Sequence, residues 1–220
     1  MYKKTQNGYN IKCICTLREL KFNMDNLDKI MNLIEENNGM ITSSILTKER
    51  IPRHYLKKLV DAGVIMKVDR GIYCKVDMWE DEMYVLQSKY TKGIFSHETA
   101  LYIHGFTDRT PIKYVMTFPS TYNVKSLKQE NVKSKKAIKN IYELGVTYAI
   151  SPCGNKIKIY DLEKTLCDIV RGNNTCDIQI VNAAMKQYAA SNKKDISKLM
   201  DYAEKLRVKN KIYNYMEVLL

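Results

Sequence analysis

Two groups of side chains in this sequence could carry out chemistry, and they imply different kinds of function. The first is Ser96-His97-Glu98, followed by His104 and Asp108, which supplies the hydroxyl, imidazole and carboxylate groups that hydrolases use. Adjacent residues at a helix start diverge by about 100° each, so these groups do not converge on one point. Two histidines alone also supply fewer protein ligands than a typical metal site has. We therefore expect a capping serine and two hydrogen-bonded histidines, with no catalytic residue, bound metal or cofactor.

The second group is basic and lies on one side of a short helical pattern. Leu56, Leu59 and Val60 form its apolar face. The opposite face carries Arg53, His54, Lys57 and Lys58. Near a helix N-terminus, arginine and histidine reach the edges of bases, whereas lysines suit phosphates. Taken alone, this face is equally well explained as a plain solvated surface.

The elements around this face decide between the two explanations. Thr42–Lys48 is predicted to be a helix that Thr42 or Ser43 caps, and Ile51-Pro52 opens the basic helix that Gly63 ends. Two strands are then predicted around a hairpin turn, at Val64–Met66 and Ile72–Cys74. This order is typical of a winged helix-turn-helix, whose second helix enters the major groove. The predicted DNA contacts are therefore Ser43, Ser44, Arg53, His54, Lys57, Lys58, Lys67 and Arg70.

The remaining patterns predict an α+β fold. Residues 1–23 are a leader of uncertain structure, residues 24–78 are the winged helix-turn-helix, and residues 79–220 form a mixed domain with a small β-sheet and a helical C-terminal end. In that domain Asp77–Tyr90 is expected to form a helix with Trp79 available for burial. Further predicted elements are a helix from His97, strands at Lys113–Phe118, Val146–Ile150 and Lys156–Ile159, and four helices after Asp161.

The charge of the chain favours a polyanionic partner. Its formal net charge is +12, which suits DNA, RNA or an acidic protein surface. A run between residues 124 and 139 supplies a secondary basic surface at Lys125, Lys128, Lys133, Lys135, Lys136 and Lys139. The default expectation for such a run is a solvated loop or helix face.

Scattered cysteines without a Cys-x-x-Cys pair and the lack of a long apolar run predict a cytoplasmic protein with reduced thiols and no membrane partner.

Several motifs taken together resemble a known family. They are VDRGIYC (68–74), GIFSHETALYIHGFTDRTP (93–111), YDLEKTLCDIVR (160–171) and YAEKLRVKNKIYNYMEVLL (202–220). Their order resembles the AbiEi antitoxins of bacterial abortive-infection, or type IV toxin–antitoxin, systems. The resemblance implies a winged domain that binds inverted repeats in its own promoter and represses the operon. It also implies a second domain that counters a nucleotidyltransferase-like toxin without a stable complex, as part of phage defence.

Two other functions fit the same residues. In a nucleic-acid-directed nuclease, the basic charge would capture substrate, and His97, His104 and Asp108 would carry the reaction. In an interaction module, the basic second domain would engage an acidic protein or RNA. DNA binding by the 24–78 domain, with no enzymatic activity, is the expectation that the sequence favours.

Overall fold

The computed structural model describes residues 25–125, 127, 131–172 and 176–220. The fold is mixed α+β with two small sheets. The chain divides into two compact units, of which the first ends at Asp81 and the second begins at Glu82. The predicted leader lies outside the described residues. Within the described part of the chain, no helix is long and apolar enough to cross a membrane.

The first unit contains three helices and three short strands. They follow in the order α1 (25–36), β1 (Met40–Thr42), α2 (Ser43–Lys48), α3 (His54–Asp61), β2 (Ile65–Asp69) and β3 (Ile72–Lys75). Strand β3 lies in the middle of an antiparallel sheet and pairs with both β1 and β2. The core of this unit is aliphatic apart from one tyrosine, and it is formed by Ile30, Ile34, Ile41, Leu46, Ile51, Tyr55, Leu56, Leu59 and Ile65.

Local sequence signals explain the helix boundaries of this unit. The hydroxyl of Thr42 accepts a hydrogen bond from the Ile45 amide at 3.3 Å, as a helix N-cap does. The turn before α3 holds Pro52, whose carbonyl accepts from the Tyr55 amide. Gly63 follows α3 with a φ of 68°, a backbone conformation that glycine adopts at little cost. The predicted cap and helix stop are therefore confirmed, whereas α3 begins at His54, with Arg53 as its N-cap, and not at Pro52.

The second unit packs helices around a five-stranded sheet. Its elements are α4 (Glu82–Lys89), β4 (Ile94–Phe95), α5 (His97–Ile103), β5 (Tyr114–Pro119), β6 (Val132–Ala137), α6 (Lys139–Tyr142), β7 (Val146–Ile150), β8 (Lys156–Tyr160), α7 (Leu162–Val170), α8 (Ile178–Ala190), α9 (Ile196–Lys205) and α10 (Lys209–Leu219). The strand order is β6-β5-β4-β8-β7. Strands β5–β6 and β4–β8 pair in parallel, and the other two neighbouring pairs are antiparallel.

Two apolar cores stabilise this unit. One joins α4 to the sheet and includes Met83, Leu86, Phe95, Phe118 and Ile159. The other lies among α7, α8, α9 and α10 and includes Leu166, Met185, Tyr188, Leu199 and Ile212. Helix α7 is the most enclosed of the described helices, because eight of its nine residues are buried. Cys167 belongs to this core, as its apolar neighbours predict.

The structure corrects three expectations. Helix α4 begins at Glu82 rather than Asp77, and Trp79, which was expected to be available for burial, is 92% exposed. The lysine-rich run was expected to be a loop or helix face, but residues 132–137 form strand β6. Strands β1 and β4 were not predicted, because each is only two or three residues long.

Candidate nucleic-acid interface

Helix α3 separates an apolar face from a basic one. Tyr55, Leu56 and Leu59 are buried in the core of the first unit. Each basic side chain that the sequence assigned to the other face is exposed, namely Arg53, His54, Lys57 and Lys58. No acidic side chain interrupts this face before Asp61, the last residue of the helix. The face therefore presents only hydrogen-bond donors and positive charge, apart from the imidazole of His54, to a partner.

The Arg53 side chain is held by the preceding helix. Its Nε and Nη2 atoms donate to the Thr47 hydroxyl at 3.0 and 2.8 Å. Thr47 in turn donates to the Ser43 carbonyl at 2.8 Å. This chain of hydrogen bonds joins the exposed sides of α2 and α3. It orients the guanidinium while leaving its remaining N–H groups available for an acceptor.

The ring of Tyr55 contacts two of the neighbouring basic side chains. The His54 ring lies 4.3 Å from the Tyr55 ring, measured between centroids. The Lys58 ammonium lies 5.2 Å from the centroid of the same ring, within range of a cation–π interaction. A buried aromatic ring thus limits the positions that these two exposed side chains adopt.

The hairpin turn is fixed against the start of α2. Gly71 has a φ of 75°, and its carbonyl accepts from the Ser43 amide at 2.8 Å. A Cβ atom at Gly71 would lie only 2.6 Å from the Ser43 hydroxyl oxygen, so the close approach requires glycine. Ser43 is consequently half-buried, whereas Ser44 is exposed. The two hairpin cations, Lys67 and Arg70, are both exposed.

Two further basic residues lie between the helices and were not assigned from the sequence. Lys48 is the last residue of α2, and Arg50 lies in the turn before α3; both are exposed. Arg50 adopts a φ of 57°, a backbone conformation that is uncommon for residues other than glycine, asparagine or aspartate. The signal for them in the sequence is the Lys48-Glu49-Arg50 stretch, but an acid between two basic residues is equally typical of an ordinary charged turn.

The structure divides the secondary basic surface between the two faces of one strand. Lys133 and Lys135 alternate with Ser134 along β6, so they share a face, and Lys136 points to the other. Lys125, Lys133, Lys136 and Lys139 are exposed, and Lys135 is half-buried. Lys128 lies outside the described residues. Strand β6 is an edge of the five-stranded sheet, so these lysines border one side of the second unit.

The candidate hydrolytic residues are engaged in structural hydrogen bonds. Ser96 occupies the cap position of α5, but its side chain makes no cap hydrogen bond, which corrects that expectation. Instead, its hydroxyl accepts from Thr117 at 2.9 Å and lies 3.0 Å from Nδ1 of His97. His104 donates through Nε2 to the Tyr160 carbonyl at 2.8 Å, and Asp108 is exposed. Both histidines are therefore hydrogen-bonded, as expected.

Both the pKa and the backbone conformation of His97 depart from the usual values for histidine. Burial lowers the pKa of His97 from 6.5 to about 4; Asp168 opposes this change, and Lys135, Lys164 and Lys133 reinforce it. The ring is therefore neutral at pH 7. His97 also has a φ of 53°, so its backbone is strained where the chain enters α5. Of the charged groups that act on His97, the buried Lys164 ammonium donates to both oxygens of Asp168 at 2.6 Å.

This polar cluster is enclosed rather than open. Ser96 is fully buried, and Lys164 and Asp168 are 2% and 5% exposed. A substrate would need access to the hydroxyl or the imidazole, and burial of Ser96 denies it to the hydroxyl. Among the residues that the structure describes, no group of three or more His, Cys, Asp or Glu side chains is placed to hold a metal ion.

Comparisons with known proteins give a weak structural likeness and no sequence match. No protein-family model matches the chain. No curated protein matches its sequence. Among solved structures, the crystal structure of the RV2827C protein from Mycobacterium tuberculosis is similar, with a TM-score of 0.44 and 11% identity over 88% of this chain and 81% of that one.

Proposed function

We propose that this protein binds double-stranded DNA through the first unit and represses its own promoter as a winged helix-turn-helix autorepressor. The observation that carries the proposal is the exposed basic face of α3, with Arg53 oriented by Thr47 of α2. The order of helices and strands supports it, because a helix pair followed by a hairpin matches the arrangement of winged domains. Lys67 and Arg70 on that hairpin would contact phosphates beside the groove that α3 enters.

The DNA partner is tested by binding to the promoter region upstream of the gene. We expect salt-sensitive binding to inverted repeats, because lysine and arginine contacts release counterions from phosphates. The informative variant is Arg53→Ala combined with Lys57→Ala. The matched control is Lys193→Ala combined with Lys194→Ala, which removes two lysines from the loop between α8 and α9. Binding that survives the α3 variant unchanged contradicts the assigned recognition helix.

We further propose that the same protein is a type IV antitoxin in an abortive-infection phage-defence system. This step rests on the resemblance of the four sequence motifs to AbiEi antitoxins, three of which lie in the second unit. The cognate toxin is a nucleotidyltransferase-like protein that the antitoxin counters without a stable complex, in the cytoplasm. No enzymatic activity of the chain is required for either function.

Toxin protection and DNA binding are separable in the full-length chain. Cells that express the neighbouring nucleotidyltransferase-like gene should survive when this protein is co-expressed. The Arg53→Ala, Lys57→Ala variant should lose repression of a promoter reporter and still protect, if the second unit carries the antitoxin activity. Loss of both activities with an unchanged fold would contradict this division, and failure of the wild-type chain to protect would contradict the antitoxin proposal itself.

A further inference from the structure

Strand β7 is an unusual edge strand. It lies at the end of the five-stranded sheet, and in the described part of the chain no strand pairs with its outer side. Its exposed side chains are Val146, Tyr148 and Ile150, which are 40%, 56% and 61% exposed. An uncovered strand edge lined with apolar side chains promotes pairing with another strand.

The pairing with β8 fixes which backbone groups point outward. Val146 lies opposite Tyr160 and Ile150 opposite Lys156 in an antiparallel register. Just beyond the two ends of β7, the Asp161 amide donates to the Gly145 carbonyl and the Ser151 amide donates to the Asn155 carbonyl, both at 2.8 Å. In an antiparallel ladder, hydrogen-bonded pairs alternate with non-bonded pairs.

It follows that Thr147 and Ala149 direct their backbone groups toward β8. Val146, Tyr148 and Ile150 occupy the non-bonded positions of that ladder, so their N–H and C=O groups face the open edge. The three residues with exposed apolar side chains are thus the same three that offer unpaired backbone groups. The edge presents three donors and three acceptors at alternate positions.

The two edges of this sheet differ in charge. Strand β6, the opposite edge, carries Lys133, Lys135 and Lys136, which is a common way to prevent edge-to-edge association. Strand β7 has the sequence VTYAI, and no charged residue occurs between Glu143 and Lys156. In a chain with a net charge of +12, β7 is an edge where two copies can approach without direct repulsion between strands.

We propose that β7 pairs with β7 of a second copy of this chain in an antiparallel arrangement about a two-fold axis. Tyr148 then lies opposite its own counterpart, and Val146 lies opposite Ile150 of the second copy. This register satisfies the three outward donors and three outward acceptors of each strand, because an antiparallel pair centred on Tyr148 exchanges six hydrogen bonds. The exposed apolar side chains pack side by side on one face of a continuous ten-stranded sheet.

The charge around Tyr148 is compatible with this pairing. The Lys156 ammonium lies 4.3 Å from the centroid of the Tyr148 ring on the same face of the sheet. A cation held over the ring covers one side of it and leaves the edge of the strand clear. A two-fold interface is self-complementary, so one uncharged strand suffices for both copies. The proposal does not depend on DNA binding or on toxin neutralisation.

The oligomeric state of the full-length protein tests the proposal. Analytical ultracentrifugation over a range of protein concentrations should show a reversible monomer–dimer equilibrium for the wild type. Tyr148→Lys places like charges opposite each other and should raise the dissociation constant at least about tenfold. The matched control is Tyr213→Lys, which makes the same change at a tyrosine of α10 that is 53% exposed, and it should dimerise as the wild type does.

A second variant and a residue-level measurement keep the test specific. Tyr148→Pro removes an outward N–H and leaves the ladder with β8 intact, since proline is tolerated on an edge strand at such a position. Amide exchange at Val146, Tyr148 and Ile150 should slow as the protein concentration rises, whereas Thr147 and Ala149 should be protected at all concentrations. A wild type that stays monomeric, dimers that both Tyr148 variants leave unchanged, or outward amides protected regardless of concentration would overturn the proposal.

Discussion

Arg53 and Thr47 are joined by two hydrogen bonds that run from the guanidinium of Arg53, the N-cap residue of α3, to a single hydroxyl of α2. The forked geometry is specific to arginine, because the guanidinium presents several N–H groups in one plane. Thr47 accepts from this fork and donates its own proton to the Ser43 carbonyl. The two residues are both exposed, so the contact fixes an orientation at the surface rather than filling the core.

This contact predicts different effects for the two partners on DNA binding. Arg53→Ala should weaken binding by about 1–3 kcal/mol if Arg53 reads a base. Thr47→Val should weaken it by a smaller amount, since the arginine remains but is no longer held in place. Arg53→Lys should resemble Arg53→Ala more than the wild type, because an ammonium cannot reproduce the fork. Fluorescence anisotropy with promoter DNA measures all three, and equal affinities for Arg53→Ala and the wild type would contradict the assigned role.

Salt dependence distinguishes the phosphate contacts from the base contact. Lys57→Ala and Lys58→Ala should each reduce the slope of log affinity against log salt by about 1 if they bind phosphates. The combined replacement of Lys133, Lys135 and Lys136 by alanine tests the secondary basic surface in the same way. A slope unchanged by that triple variant would show that DNA binding does not use the β6 lysines.

The sequence was most informative where side-chain pattern and backbone structure agree. Thr42 and Gly63 mark the start of α2 and the end of α3, because capping and positive φ are properties of single residues. The turn-rich segment 151–155 between Val146–Ile150 and Lys156–Ile159 predicted the pair that includes β7, and the apolar spacing after Asp161 predicted α7. In each case the local preference of the residues matches the environment that the fold provides.

Strand β6 shows why other elements could not be predicted. Its sequence VKSKKA is that of a solvated segment, and its strand conformation comes from six paired positions with β5 in parallel. That pairing partner is distant in sequence, so no local pattern reports it. The enclosure of Ser96 has the same origin: Thr117, its hydrogen-bond donor, lies on β5, and nothing around Ser96 itself predicts the contact.

The buried pair of Lys164 and Asp168 should be coupled in its effect on stability. Removal of one partner, by Lys164→Met or Asp168→Leu, leaves an unpaired buried charge and should cost about 3–5 kcal/mol of unfolding free energy. The double variant should cost much less than the sum, because it leaves neither charge. Urea denaturation of the four proteins measures the coupling. Additive losses would show that the two side chains contribute independently, and Lys205→Met provides a control at an exposed i,i+4 pair with Asp201.

The lowered pKa of His97 predicts acid sensitivity over a defined pH range. In the unfolded chain the imidazole takes up a proton near pH 6.5, whereas burial keeps it neutral in the folded protein until about pH 4. The unfolded state therefore binds more protons between these values, so the unfolding free energy falls as the pH is lowered from 6.5 to 4 and levels off below that. The full loss attributable to this residue is about 3 kcal/mol.

His97→Asn isolates this contribution to acid sensitivity. Asparagine tolerates the positive φ of this position and carries no titratable proton. Urea unfolding at intervals from pH 7 to pH 4 should therefore give a shallower decline for His97→Asn than for the wild type, whatever the absolute stability of the variant at pH 7. His97→Gly, which relieves the backbone strain as well, should show the same shallow decline from a different starting value. Parallel curves for all three proteins would mean that the carboxylates, and not His97, set the acid sensitivity in this range.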